Sequence, residues 1–349
     1  MDTIFMERCL QLAKLGEGHT SPNPMVGAVI VHNEKIIGEG FHKKCGGPHA
    51  EVNAVNSVQN QELLPESTIY VSLEPCSHFG KTPPCANLII EKKIKRVVIA
   101  ATDPNPKVSG RGIQLLKDAG IEVVSGVLER ESKDLNRAFF TNQIQKRPYI
   151  ILKWAESKDG FLDRNRQFGD NLPPARISNF ITQTLTHKLR ARVDGILVGT
   201  NTALLDNPKL DVRFWNNNHP VRILFDKTGK VPHTHSLFDG TAKTIVLEQN
   251  QGNRHEISFI GITNENSVSD ILNRLFELGI YSVLVEGGAD TLNRFIKSNL
   301  WDEAFIEKSK KIIGGGVKAP TISLSSETHK KYFDSHYFHL KNEISRNFI

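Results

Sequence analysis

Two consecutive α/β domains are what the sequence predicts, and three observations lead there. The 349 residues exceed the comfortable span of one hydrophobic core. Apolar runs of strand length alternate with segments of helical periodicity over most of the chain, the pattern of sheets covered by helices. Arg147-Pro148 interrupts that alternation, because the residue before a proline disfavours helix. The chain is therefore divided into residues 1–146 and 147–349.

In the first half, "TIFMERCLQLAKLGEG" spaces Phe5, Cys9, Leu12 and Ala13 as one apolar helix face, with Gly16 and Gly18 as stop signals. "SPNPMVGAVIV" is a turn-rich entry into a buried strand, "HNEK" a hairpin turn and "IIGEGFH" the returning strand. After "CGGP" a helix opens at His49 in "HAEVNAVNSV". Strand "STIYVSLEP", helix "ANLIIEKKI", strand "RVVIAATD", helix "GIQLLKDAG" and strand "IEVVSGVL" follow, and one charged helix, "RESKDLNRAFFTNQIQ", closes the half.

The second half opens with the strand "YIILKWAESKDG" and the long helix "ISNFITQTLTHKLRARV". Strands "GILVGT", "VRILFD" and "TIVLEQ" come next, then helix "SVSDILNRLFELG", strand "YSVLVEGG" and helix "ADTLNRFIKSN". The C-terminal tail, "LSSETHKKYFDSHYFHLKNEISRNFI", reads as strands.

Composition removes several function classes. With 39% hydrophobic and 23% charged residues, the chain is an ordinary globular one. Its longest apolar runs fall far short of the roughly 20 residues of a spanning helix. The N-terminus carries acids early and lacks an apolar signal region, so a cytoplasmic protein without a membrane partner is expected. The net charge of +6 comes from dispersed basic residues, not from an arm or stripe that would bind nucleic acid. A homo-oligomer is compatible with the sequence, which carries no marker of subunit number.

Four cysteines, Cys9, Cys45, Cys76 and Cys85, are too few for a disulfide scaffold in a chain of this length. Cys9 falls on an apolar helix face and reads as core; Cys45, in "KKCGGP", reads as exposed. The other two sit in "EPCSHFGKTPPC", and "PHAEVNA" places His49 and Glu51 at a helix start. Cys85 also opens a helix, where the positive partial charge of the N-terminus favours a thiolate. Two converging helix starts would bring together one imidazole and two thiolates, the set of a catalytic zinc site with its fourth position left to water. Bound zinc would generate hydroxide at neutral pH, with Glu51 as proton shuttle. The His-x-Glu and Pro-Cys-x-x-Cys signature of zinc nucleobase deaminases is close to this pattern, with the second half stretched.

In order, "SPNPMVGAVIV", "PHAEVNA", "EPCSHFGKTPPC" and "ATDPNPKVSGRG" resemble the deaminase half of the bifunctional riboflavin-biosynthesis deaminase/reductases, which share the long cysteine spacing. "LRARVDGILVGTNTALLDNPKLDVR" is similar to their reductase half. The resemblance implies a cytidine-deaminase-like α/β/α domain followed by a dihydrofolate-reductase-like α/β domain, with Zn2+ and NADPH as cofactors. The implied substrate is a small phosphoribosyl-pyrimidine, deaminated first and then reduced at its ribose.

By the same resemblance His49, Cys76 and Cys85 ligate zinc, and Glu51 is the acid/base. Asn23, His42, Asp103 and Asn105 line the pyrimidine and ribose pocket, and Lys81 meets the phosphate. In the reductase, Lys153, Arg190, Leu210, Arg213 and Glu286 contact substrate. Ala155, Thr202, Asp206 and the run Gly288, Ala289, Asp290, Thr291, Leu292, Asn293 and Arg294 contact NADPH. The proton donor of the reduction stays open among Lys153, Asp206 and Glu286. One stretch departs from the family: "NLPPARISN" has Pro173-Pro174 in place of a Gly-x-Ser turn, and Arg176 in place of a tryptophan.

Two rival readings make other demands. A deaminase of RNA bases or free cytidine calls for a compact Pro-Cys-x-x-Cys and leaves the second half without a role. A non-catalytic zinc-stabilised binding protein requires a closed, four-ligand site.

Overall fold

The computed structural model describes residues 1–77, 83–105, 108–170, 172–216, 218–249, 257–261, 267–322 and 327–342. The chain forms two compact units, Met1–Gln145 and a second beginning at Lys146.

The first unit is built from α1 (Asp2–Ala13), β1 (Gly27–His32), β2 (Lys35–Phe41), α2 (Ala50–Ser57), β3 (Thr68–Leu73), α3 (Cys85–Glu91), β4 (Arg96–Ala101), α4 (Arg111–Asp118) and β5 (Glu122–Ser125), with α5 (Glu129–Leu135) and α6 (Arg137–Gln145) at its end. Its sheet runs β2-β1-β3-β4-β5. The β1–β2 hairpin is antiparallel, and its turn residues Asn33 and Glu34 both have positive φ, as a two-residue turn between twisted strands requires. From β3 to β5 the strands are parallel.

Period-two alternation divides the core. Ala28, Ile30, Ile69, Val71, Val97 and Ile99 pack on one face with Ala50 and Ala54 of α2, Ile89 of α3 and Leu116 of α4. Val29, Val31, Tyr70, Val98 and Ala100 pack on the other with Phe5, Met6, Cys9 and Leu12 of α1. The sheet is thus covered on both faces. Cys9 is fully buried, and burial pushes its thiol pKa up; Cys45 is exposed. Helix α2 lies so close to β2 that a Cβ on Gly40 would meet Ala54 N at 2.3 Å and Ala50 O at 2.5 Å.

The single closing helix of the sequence reading is two helices. They break at Asn136, whose Oδ1 accepts from Met25 N (2.8 Å) and whose Nδ2 donates to Met25 O (2.9 Å). A distant backbone segment therefore fixes the break, and nothing local in the sequence marks it.

The second unit holds β6 (Tyr149–Glu156), β7 (Phe161–Asp163), α7 (Phe180–Arg190), β8 (Gly195–Gly199), α8 (Thr200–Asp206), β9 (Val221–Phe225), β10 (Thr244–Glu248), β11 (Ile257–Gly261), α9 (Val268–Glu277), β12 (Ser282–Val285), α10 (Ala289–Lys297), β13 (Glu303–Ser309), β14 (Val317–Lys318), β15 (Glu327–Tyr332) and β16 (Ser335–Lys341). Among the described residues its main sheet runs β11-β10-β9-β8-β12-β6-β13-β16-β15, parallel up to β13 and antiparallel beyond. The tail does form strands, β15 and β16; α8 and β13 lie where the sequence reading named no element.

One face of this sheet is apolar: Leu152, Val285, Ala304 and Ile306 pack with Leu272 and Leu275 of α9 and Leu292 and Phe295 of α10. The opposite face carries Lys153, Glu286 and Glu307, set by the alternation. Val285 pairs with Leu152, so Glu286 stands beside Lys153, and Lys153 pairs with Phe305, two residues before Glu307. Helix α7 covers this polar face, with Thr182 bonded to Glu307 and Arg190 to Glu286. Asn179 caps α7 by accepting from Thr182 N at 3.1 Å, so the helix begins at Phe180, three residues after the apolar Ile177.

Candidate functional site

In the first unit the site lies past the C-terminal ends of β3 and β4, where parallel strands present their loops. His49 is the N-cap of α2, Cys76 follows β3, and Cys85 is the first residue of α3. Their donor atoms lie within 4.8 Å of one another. Nδ1 of His49 is 3.3 Å from Cys85 Sγ and 3.6 Å from Cys76 Sγ, while Cys85 N donates to Cys76 Sγ at 3.3 Å. The Cys85 thiol, then His49 and that N–H, hold Cys76 as a thiolate, with its pKa down at about 4 against the opposing effect of burial. One imidazole and two sulfurs at this spacing suit zinc.

Glu51, in the first turn of α2, is 3% exposed. Burial first, and then the Cys76 charge, push its carboxyl up to about 7. A carboxyl so placed can hold or release a proton near neutral pH. Beside it, the ring of His42 sits edge-on to that of His49, with centroids 5.5 Å apart. His42 Nδ1 lies 3.0 Å from Pro48 O, which fixes the N–H there; Nε2 then accepts from Asn23 Nδ2 at 3.1 Å. Asp103 Oδ1 accepts from Asn105 N at 2.8 Å. Lys81 lies outside the described residues.

The sequence reading missed Glu74, the glutamate of "EPC". Its buried carboxylate accepts from four backbone N–H groups: Asp103 (3.2 Å), Gly110 (3.0 Å), Gly112 (2.9 Å) and Ile113 (3.3 Å). It thereby ties the loop after β4 and the start of α4 to the residues before Cys76. Gly112 has no room for a side chain, since a Cβ would meet Pro75 O at 2.1 Å.

In the second unit, Arg190 grips Glu286 with two parallel bonds, Nε to Oε1 at 2.9 Å and Nη2 to Oε2 at 2.7 Å, and donates through Nη1 to Asp211 O at 3.0 Å. Burial acts to raise the Glu286 pKa, but Arg190 and Lys153 prevail and hold it below the usual range. Burial pushes the Lys153 ammonium down, with Glu286 and Glu307 opposing. Arg213 is exposed and pairs with Asp211 at 2.5 Å, whereas Leu210 is buried with a positive φ of 50°. His187, one turn before Arg190, is buried with no hydrogen-bond partner for Nδ1 among the described residues, and burial with Arg190 and Arg213 lowers its pKa to about 4.

The strand-Gly-Gly-helix turn brings two corners of the sheet together. Gly288 N donates to Thr202 Oγ1 at 2.8 Å, a Cβ on Gly287 would stand 3.0 Å from Thr291 Cβ, and one on Gly199 would stand 2.5 Å from Thr291 Oγ1. Bare backbone at the N-terminus of α10 suits the phosphates of a dinucleotide. Ala155 is half-buried on β6, and Asp206 is bound by Arg166. Asp290 and Arg294 pair with each other on the exposed side of α10, while Leu292 lies in the core. Arg176 is exposed and its carbonyl accepts from Lys311 Nζ at 2.5 Å.

Residues 1–101 match the model of the cytidine and deoxycytidylate deaminase zinc-binding region, and residues 148–342 match that of the RibD C-terminal domain. The riboflavin biosynthesis protein RibD of Aquifex aeolicus is 40% identical over 93% of this chain and 92% of its own length. The chain belongs to the RibD family. RibD of Escherichia coli is 33% identical over 91% of the chain and 90% of its own length. A crystal structure from Thermotoga maritima, a diaminohydroxyphosphoribosylaminopyrimidine deaminase/5-amino-6-(5-phosphoribosylamino)uracil reductase, superposes with a TM-score of 0.87 at 36% identity, covering 98% of each chain. As a RibD chain, the protein carries a zinc-dependent deaminase domain and an NADPH-dependent reductase domain of riboflavin biosynthesis. No helix among the described residues is long and apolar enough to cross a membrane.

Proposed function

We propose that this chain deaminates 2,5-diamino-6-(5-phosphoribosylamino)pyrimidin-4(3H)-one and then reduces the ribose of the product, 5-amino-6-(5-phosphoribosylamino)uracil, to a ribityl chain. The observation that carries this reading is the convergence of His49, Cys76 and Cys85 beside the buried Glu51, in a chain that spans both halves of its relatives. The sparse, unpaired cysteines suit a reducing compartment, and we place the reaction in the cytoplasm.

His49, Cys76 and Cys85 would hold zinc, which when bound supplies a Lewis acid and a water acidified from about 15.7 to about 7. Glu51 would take up a proton on its carboxyl and pass it to the departing amine, a role suited to a buried carboxyl in reach of neutrality. His42 orients Asn23 by accepting from its amide N–H, which turns the Asn23 carbonyl oxygen toward a ring N–H of the pyrimidine. Glu74 holds the Asp103 and Asn105 loop that faces the ribose. Lys81 meets the phosphate.

In the reductase half the glycine turn before α10 and Thr202 would hold NADPH, which when bound supplies a hydride. The reduction breaks the bond between C1′ and O4′ of the ribose, adds hydrogen to C1′ and requires a proton on O4′. Among the three candidate donors, Asp206 is occupied by Arg166 and Glu286 by Arg190. Lys153 makes no ion pair among the described residues, and we assign it the proton. Arg190 and Arg213 take the phosphate with their remaining N–H groups.

Mass spectrometry of the product tests the reading. With zinc-loaded enzyme and no NADPH, the pyrimidine should lose about one mass unit as amine is exchanged for carbonyl oxygen; NADPH should then add about two. Turnover of cytidine or RNA in preference to the ribosylated pyrimidine would contradict it.

A further inference from the structure

Glu307, on β13, is fully buried. Its carboxylate accepts from Thr182 Oγ1 at 2.8 Å and Ser335 Oγ at 2.7 Å through Oε1, and from Ser178 Oγ at 2.5 Å through Oε2. Among the described residues no arginine, lysine or histidine pairs with it. Burying a carboxylate without a cation is costly unless hydrogen bonds satisfy it. Three hydroxyls donate to it, and none of them brings a positive charge. The register sets Glu307 on the same face as Lys153, one strand away and two residues beyond the residue paired with it.

We propose that Glu307 is a positioning residue of the reductive half-reaction: its buried carboxylate keeps the Lys153 ammonium charged and aimed from the side opposite Glu286. The inference rests on the reading of Lys153 as the proton donor. The charged groups that act on that lysine are Glu286 at the end of β12, Glu307 on β13 and Arg190 on α7; His187 on α7 interacts in turn with Arg190 and Glu286, and Tyr337 on β16 with Glu307 and Glu286. Glu286 exerts the larger upward pull on that ammonium, although Arg190 grips its carboxylate. Glu307 pairs with no cation among the described residues and adds a second, smaller upward pull on Lys153 from the β13 side. The side chains of Ser178 and Thr182, at the start of α7, hold the carboxylate in place. The segment that departs from the family at Arg176 thus leads directly into this contact.

The test is the pH profile of NADPH oxidation by the full-length, zinc-loaded chain, with 5-amino-6-(5-phosphoribosylamino)uracil as substrate. A donor must be protonated, so activity falls as pH rises through the pKa of Lys153. Removing the Glu307 charge lowers that pKa. In Glu307→Gln the basic limb of kcat should therefore move to lower pH by about one unit, with KM for NADPH unchanged, and Glu307→Asp should restore the limb. Ammonia release by the deaminase half, unchanged in all variants, controls for folding. Should Glu307→Gln fail to accumulate, Glu307→Met, uncharged and of similar length, makes the same prediction. A basic limb that stays in place in the uncharged variant, while Lys153→Gln abolishes reduction, overturns the role of Glu307 alone. Reduction that persists in Lys153→Gln with an unmoved limb overturns the reading of Lys153 and the inference with it.

Discussion

His49 Nδ1 lies 3.3 Å from Cys85 Sγ, although the two residues are 36 positions apart in sequence. The N-cap of one helix faces the first residue of another, and the strand β3 delivers Cys76 into the gap. Replacing Cys85 by Ser should therefore release the metal, because two donors no longer form a catalytic zinc set. Elemental analysis of Cys85→Ser should find zinc near zero and ammonia release abolished, while NADPH oxidation on the aminouracil substrate persists.

Glu51 is expected to act on protons and not on the metal. Glu51→Gln keeps the size and removes the acid, so deamination should fall by about 10²–10⁴-fold. Zinc content should match the wild type. A non-catalytic zinc-binding protein would show no change.

Glu74 makes a different kind of prediction, since its carboxylate ties four backbone N–H groups and meets no reacting atom. Glu74→Gln exchanges one accepting oxygen for a donor and should lower stability by about 2 kcal/mol. KM for the deamination should rise as the Asp103 and Asn105 loop loosens. Thermal unfolding and steady-state kinetics on the same preparation check both.

Arg190 and Glu286 form a bidentate pair that lysine cannot reproduce. Arg190→Lys should reduce kcat/KM of the reduction by about ten-fold or more and leave deamination intact. The pair also carries a pH signature. Because the Glu286 pKa is depressed in the fold, its contribution to stability is complete above pH 4.5, the ordinary value. It is lost as the pH falls through the lower, folded value. An acid unfolding curve of Arg190→Lys should be shallower below that pH than that of the wild type.

A fourth structural carboxylate lies elsewhere in the reductase unit. Arg147 and Asp302 are bidentate at 2.7 Å and buried, and Asp302 also accepts from Ile150 N at 2.7 Å. Asp302→Ala strands a buried guanidinium and should destabilise the unit by about 3–5 kcal/mol, read as a lower unfolding midpoint monitored by NADPH oxidation.

How much of this was legible in the sequence depends on where each signal is stored. Runs such as "VGAVIV" and "RVVIAA" announce buried strands because both faces of those strands are covered, and the Asn33-Glu34 turn follows from its flanks. Strand β13, "EAFIEKS", was not recognised: Glu303 and Glu307 are buried there by hydroxyl and imidazole partners from β6, β16 and α7, and alternating charge reads as a solvated surface. The split between α5 and α6 depends on Met25, more than a hundred positions away. In the candidate site, the grouping of His49, Cys76 and Cys85 was legible because metal chemistry restricts residue type and spacing. Glu74 and Glu307 were not, since a carboxylate that serves backbone amides or hydroxyls looks like any surface acid until its partners are known.

The deaminase mechanism requires three protein donors around one zinc and a fourth position open to solvent. X-ray absorption at the zinc edge of the resting enzyme measures that shell directly. The expected result is two sulfurs at about 2.3 Å, one nitrogen at about 2.0–2.1 Å and one light oxygen atom. A third sulfur or a second imidazole in the shell would close the position and contradict the deaminase mechanism.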